Sequence, residues 1–131
     1  MLVEVMLVVG IIAIISSVSW LALSNSKKNV DAGNACTQIA GYINKTRNYV
    51  VSGKTNWATF RILNNSEVSV ALAGMGAPEM YKLKGEVSCN NIVIDYIAPN
   101  AVGTFSGNII CSGASGISKV IEVTPYQAVC K

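Results

Sequence analysis

Met1-Leu2-Val3-Glu4-Val5-Met6-Leu7-Val8-Val9-Gly10-Ile11-Ile12-Ala13-Ile14-Ile15 opens a run that stays apolar or small as far as Leu23, with Glu4 as its only charge. A helix of roughly 20 such residues is long enough to cross a hydrocarbon core of about 30 Å. After Ser24 the composition becomes an ordinary mixture, and all ten Lys and Arg residues lie there. A secretory signal peptide would carry positive charge ahead of the apolar run and a small-residue cleavage site behind it. Here the run flows into Ser24-Asn25-Ser26-Lys27-Lys28, so the expectation is a retained anchor whose leader has been removed.

Working outward, the stretch from Ser24 to Ser52 reads as a continuation of the same helix. Ala32, Cys36, Ile39, Ile43, Thr46 and Val50 recur at steps of four, three, four, three and four, which draws one mostly apolar stripe along a helix face. Asp31, Asn34, Gln38, Lys45 and Asn48 fall largely on the other faces. Gly53 supplies a stop just past the helix end. No proline interrupts residues 1 to 53, so one helix of about 80 Å is possible at roughly 1.5 Å per residue. Its weak points are Gly10, Gly33, Gly41 and Ser16-Ser17-Val18-Ser19, because Gly and Ser form helix less readily than Ala or Leu.

Beyond Gly53 the hydrophobic period shortens to two. Trp57–Leu63 and Glu67–Leu72, separated by Asn64-Asn65-Ser66, read as a hairpin. Further strands are expected at Met80–Leu83, Val87–Cys89, Ile92–Ile97, Asn108–Cys111, Ser118–Thr124 and Ala128–Cys130, with a turn at Ser112-Gly113-Ala114-Ser115-Gly116. The fold class is therefore α+β: a long N-terminal helix whose C-terminal half packs on a small antiparallel β-sheet domain. Residues 1–23 form a projecting hydrophobic arm and 24–131 a globular domain, divided into an amphipathic helix over 24–53 and sheet over 56–131. More than twenty apolar residues bare in water are untenable, so the arm belongs in a bilayer or against copies of itself.

Four cysteines and no histidine exclude several chemistries. Cys36, Cys89, Cys111 and Cys130 contain no closely spaced pair, so no metal site is expected. An even number on an exported chain favours two disulfides in an oxidising compartment, and three connectivities are open. Without histidine there is no nucleophile–base arrangement. The acids Glu67, Glu79, Glu86, Asp95 and Glu122 are scattered rather than paired, so neither an enzyme nor a cofactor is expected. Gly53-Lys54-Thr55 mimics the end of a phosphate-binding loop but lacks the earlier glycine and follows a helix instead of a strand. Gly74-Met75-Gly76 lacks the third glycine and the helix of a dinucleotide fingerprint. Asn44-Lys45-Thr46 and Asn64-Asn65-Ser66 fit the glycosylation triplet at about the rate such a composition produces by chance.

The residues from Met1 to Ile15 resemble the mature N-terminus of bacterial type IV pilins and type II secretion pseudopilins. Glu4, with Leu2-Val3 before it and Val5-Met6-Leu7-Val8-Val9 after it, is similar to that family's glutamate at the fifth mature position. The register is short by one, which is read as one residue standing ahead of Met1. The resemblance covers about a fifth of the chain and implies a pilin-like fold, cleavage by a prepilin peptidase and methylation of the new amino terminus. It also implies an inner-membrane assembly platform, passage through the cytoplasmic membrane, and a homopolymer held by helix packing. Glu4 then neutralises the terminal amine, represented here by Met1, of a neighbouring subunit, because a buried carboxylate needs a partner. More loosely, Ile39 to Lys54 and the ending on short hairpins look like H-type minor pseudopilins. The family's helix-distorting proline is absent, which leaves Ser16–Ser19 as the place where this helix would loosen. The resemblance further implies a disulfide between Cys111 and Cys130, bounding a C-terminal loop, and with it Cys36–Cys89.

The expected function is a structural subunit of an extracellular type IV pilus-like filament used for adhesion, twitching or surface contact. The alternatives are a minor pseudopilin of a secretion or pilus tip complex and a DNA-capturing minor pilin. The last would use Lys82, Lys84, Lys119 and Lys131, but a net charge of +3 and sparse aromatics argue against a nucleic-acid partner. Lys27, Lys28, Lys45, Arg47 and Lys54 read instead as a solvated helix face and an interfacial anchor.

Overall fold

The structure, a computed structural model, describes residues 1–114 and 116–131; Ser115, in the expected Ser112–Gly116 turn, lies outside the described residues. One helix, α1, runs from Leu2 to Val51 without a break. The serines at its weak point are accommodated by back-bonding: Ser16 donates its hydroxyl to the Ile12 carbonyl at 2.7 Å, Ser17 to Ile14 at 2.8 Å and Ser19 to Ile15 at 2.9 Å. The helix closes on Gly53, whose φ of 73° is costly for any residue with a Cβ. The Gly53 N–H donates to the Val50 carbonyl and the Lys54 N–H to that of Tyr49, both at 3.1 Å, which satisfies two terminal carbonyls in a Schellman arrangement.

The stripe expected from spacing is the buried face. Ala32, Cys36, Ile39, Ile43, Thr46 and Val50 are all buried, joined by Ala35 and Ala40. No residue from 1 to 30 is buried. The C-terminal portion of the helix lies across two antiparallel sheets rather than one continuous assembly.

The first sheet comprises β1 (Trp57–Leu63), β2 (Glu67–Leu72), β3 (Glu79–Lys82), β5 (Ile92–Ile97) and β6 (Val102–Gly103), in the order β3-β2-β1-β5-β6. The second comprises β4 (Val87–Cys89), β7 (Gly107–Gly113), β8 (Ser118–Val123) and β9 (Ala128–Cys130), in the order β4-β7-β8-β9. The β1–β2 hairpin turns through Asn64 and Asn65 at φ 49° and 63°, a region asparagine tolerates better than most residues. Phe60, Val68, Ile94 and Tyr96 from the first sheet and Ile109, Cys111, Ile121 and Val123 from the second join the helical stripe in one core.

Several strands differ from expectation: β7 runs Gly107–Gly113 rather than Asn108–Cys111 and so takes in Ser112 and Gly113 of the expected turn, β8 ends at Val123 rather than Thr124, β3 is shifted by one residue, and β6 is additional. β3 begins one residue early because Glu79 pairs with Val70, and ends one residue early, at Lys82, where Leu83 turns into the core and gives its N–H to the Ser66 carbonyl at 2.9 Å. β6 has two residues, too few to show a period, and exists because it pairs with Tyr96 and Ile97.

The disulfides correct the expected pairing. Cys36 joins Cys130, with Cα atoms 5.6 Å apart, and Cys89 joins Cys111, with Cα atoms 4.1 Å apart. The expected Cys36–Cys89 and Cys111–Cys130 bonds are therefore not formed. Antiparallel pairing of β4 with β7 sets Cys89 directly opposite Cys111, so those two thiols meet across a ladder. Cys36 points from the helical stripe toward β9, whose Cys130 stands opposite Ile121 of β8. The consequence is that the C-terminal strand is covalently tied to the helix.

Candidate functional site

The arm is the candidate site. Its apolar side chains are largely bare, including Leu7 at 61%, Ile14 at 66% and Trp20 at 77% exposure. The helix is long and apolar enough to cross a membrane, and none of its apolar stretch is buried. Trp20, Leu23, Ser24 and Lys27 line a shallow groove where the arm turns polar. An amphipathic ring followed by cations is the composition favoured at a membrane–water boundary.

Glu4 lies in the first turn of α1, and the nearest cation is the chain's own amino terminus, 3.9 Å from Oε2. Both groups are fully open to solvent, where such a pair contributes little. Carboxylate and amine occupy the same end of the arm, three residues apart on one helical turn. Burial of this end against another apolar surface would leave both charges in need of a partner.

The structure disperses the other charged residues singled out in the sequence. Arg47 donates from Nε to the Ala101 carbonyl at 3.2 Å and thereby holds the loop before β6. Lys45 sits over the rings of Tyr49 and Tyr81, and Lys54 over that of Tyr49. Tyr49, and after it Tyr81, hold the Lys45 ammonium above its ordinary 10.5. Hydrogen bonding to Glu79, more than burial, holds the Tyr81 phenol above 10.0. Lys82 stands opposite Glu67 on the first sheet, Lys119 belongs to the second, and Lys131 pairs with Glu122.

Asn44 was not legible as a structural residue. Its Nδ2 donates to the Ala128 carbonyl and its Oδ1 accepts the Ala128 N–H, both at 2.9 Å, so an asparagine on α1 pairs with the outer edge of β9. Asn44 lies just off the buried stripe, and the only sequence signal it carried was a glycosylation triplet.

No family model matches the chain, and no curated protein matches its sequence. Long helix, two small antiparallel sheets and bare arm together define the pilin fold, α+β in class. Among solved structures, the chain is similar to the crystal structure of the type IV minor pilin FimU from Pseudomonas aeruginosa. The TM-score is 0.61 over 79% of this chain and 90% of that one, at 11% identity. At that identity the likeness is one of fold.

Proposed function

We propose that this protein is a structural subunit of a type IV pilus-like extracellular filament, polymerising through its N-terminal helix. The observation that carries the reading is the arm: thirty consecutive residues without burial, continuous with a helix that is the spine of a pilin fold. Residues 1–23 insert in the cytoplasmic membrane before assembly and pack among the arms of other copies afterwards, while 24–131 form the surface unit. Each Leu, Ile or Val side chain buried on assembly contributes about 1.5–3 kcal/mol, so the arm supplies the driving force. Such burial is non-directional, and the axial step requires a polar contact. Glu4 of an incoming subunit neutralises the methylated terminal amine of a docked neighbour, at Met1 or one residue ahead of it. Processing by a prepilin peptidase and extraction by an inner-membrane platform belong to the same reading, and the two disulfides suit the oxidising side of that membrane. The protein's role is structural rather than catalytic.

A second reading, a minor subunit at a filament or secretion-complex tip and of H type, is favoured by the similarity to a type IV minor pilin. Immunogold labelling of filaments sheared from cells expressing the chain with its leader separates the two. Label along the whole filament is expected for the main subunit. Label confined to tips supports the minor subunit, and filaments without label contradict both.

A further inference from the structure

The face of the first sheet turned away from α1 carries a cleft of about 560 Å³, lined by Asn56, Trp57, Thr59, Asp95, Ile97 and Thr104. Its floor is apolar. Trp57 stands opposite Ile97 in the β1–β5 register, and the two are 45% and 60% exposed. The alternation of β1 makes this arrangement necessary: Ala58, Phe60 and Ile62 fill the core, so Trp57 and Thr59 point outward.

Polar groups stand beside that floor in fixed positions. Thr59, opposite Asp95, donates its hydroxyl to Asp95 Oδ1 at 2.6 Å. The Asp95 N–H donates to Thr104 Oγ1 at 3.0 Å, and the Thr104 N–H returns a bond to the Asp95 carbonyl at 3.1 Å. The Asn56 carbonyl accepts the Ala98 N–H at 2.8 Å, which ties the strand ends together. Asp95 Oδ2 and the Asn56 side-chain amide have no hydrogen-bond partner among the described residues. The site is built on the central strand pair of its sheet, so a ligand would meet it pre-organised.

A half-exposed indole beside a carboxylate and an amide suits a ligand with one C–H face and a rim of hydroxyls. The apolar face stacks on the ring, the hydroxyls donate to the carboxylate, and the amide answers their oxygens. We propose that this cleft binds a neutral pyranose of a surface glycan. Trp57 is the stacking platform, Asp95 Oδ2 accepts two neighbouring hydroxyls, and Asn56 supplies the amide. An anionic sugar would set its carboxylate against Asp95, so the site discriminates against acidic glycans. This assignment goes beyond filament assembly and does not depend on it.

The test uses the full chain in a zwitterionic detergent without sugar headgroups, titrated with the methyl glycosides of glucose, galactose and N-acetylglucosamine. Saturation-transfer NMR reads binding directly. The chain has two tryptophans, so a Trp20→Phe background assigns any fluorescence change to Trp57. At least one sugar is expected to receive saturation, strongest on the protons of one ring face, and to change Trp57 emission. Trp57→Ala is expected to weaken binding about tenfold, the loss of one stacked aromatic face. Asp95→Asn, which preserves the shape of the site, is expected to weaken it as well. No transfer to any of the three sugars from a chain with both disulfides intact would overturn the proposal. So would transfer unchanged in both variants, or a preference for sialic acid over the neutral sugars.

Discussion

Asn44 and Tyr96 show how individual side chains decide features that no periodicity announces. Asn44 fills both hydrogen-bonding groups of Ala128 and so blunts the outer edge of β9. Asn44→Ala strands a buried N–H and C=O, and denaturant unfolding is expected to show a loss of about 1–2 kcal/mol. Tyr96 is fully buried, and its hydroxyl has no hydrogen-bond partner among the described residues. Burial pushes its phenol above 10.0, with Arg47 opposing. The folded chain therefore holds that proton more tightly than the unfolded chain. The resulting stability is complete below pH 10.0 and is lost as the pH rises through the folded-state value. Tyr96→Phe is expected to make the alkaline decline in melting temperature shallower. At neutral pH it should raise stability by about 1 kcal/mol, since a buried hydroxyl without a partner is removed. Glu4 was legible in the sequence because a lone charge in an apolar run is conspicuous. Asn44 was not, because its partner is 84 residues away.

Among the elements, legibility followed the range of the interactions that define them. The helical stripe from Ala32 to Val50 and the hairpin strands Trp57–Leu63 and Glu67–Leu72 rest on local spacing and match expectation to the residue. The split into two sheets, the two-residue β6 and the disulfide pairing rest on contacts across the fold, which spacing does not encode. Cys89 and Cys111 meet because β4 pairs with β7 in one register, and a shift of one residue would have turned one of them outward. The two bonds close loops of unequal length. Cys36–Cys130 spans 94 residues and Cys89–Cys111 spans 22. On the chain-entropy account the long loop contributes about 4–5 kcal/mol and the short one about 3. Thermal unfolding of Cys36→Ser/Cys130→Ser and Cys89→Ser/Cys111→Ser chains should therefore show the larger loss in the first pair. Peptide mapping under non-reducing conditions should recover Cys36 linked to Cys130, and a Cys111–Cys130 peptide would contradict the fold.

At the scale of the whole molecule, the division of labour is between a spine and the sheets laid on its far half. Burial against the sheets begins at Ala32, and the apolar residues 1–23 make no part of the core. That the arm is apolar was evident from composition; what it packs against is a property of the assembly and lies outside any one chain. In the proposed assembly apolar burial supplies cohesion and one ion pair at Glu4 sets register, so the two should be separable by mutation. Glu4→Ala leaves the apolar surface intact and removes the register contact. The measurement that bears most directly on this is electron microscopy of filaments sheared from cells producing the wild-type or Glu4→Ala chain, with equal membrane levels verified by immunoblot. Filaments from wild type that are absent or sharply reduced in Glu4→Ala are the predicted result; filaments equal in number and length in the two would contradict the ion-pair account of assembly.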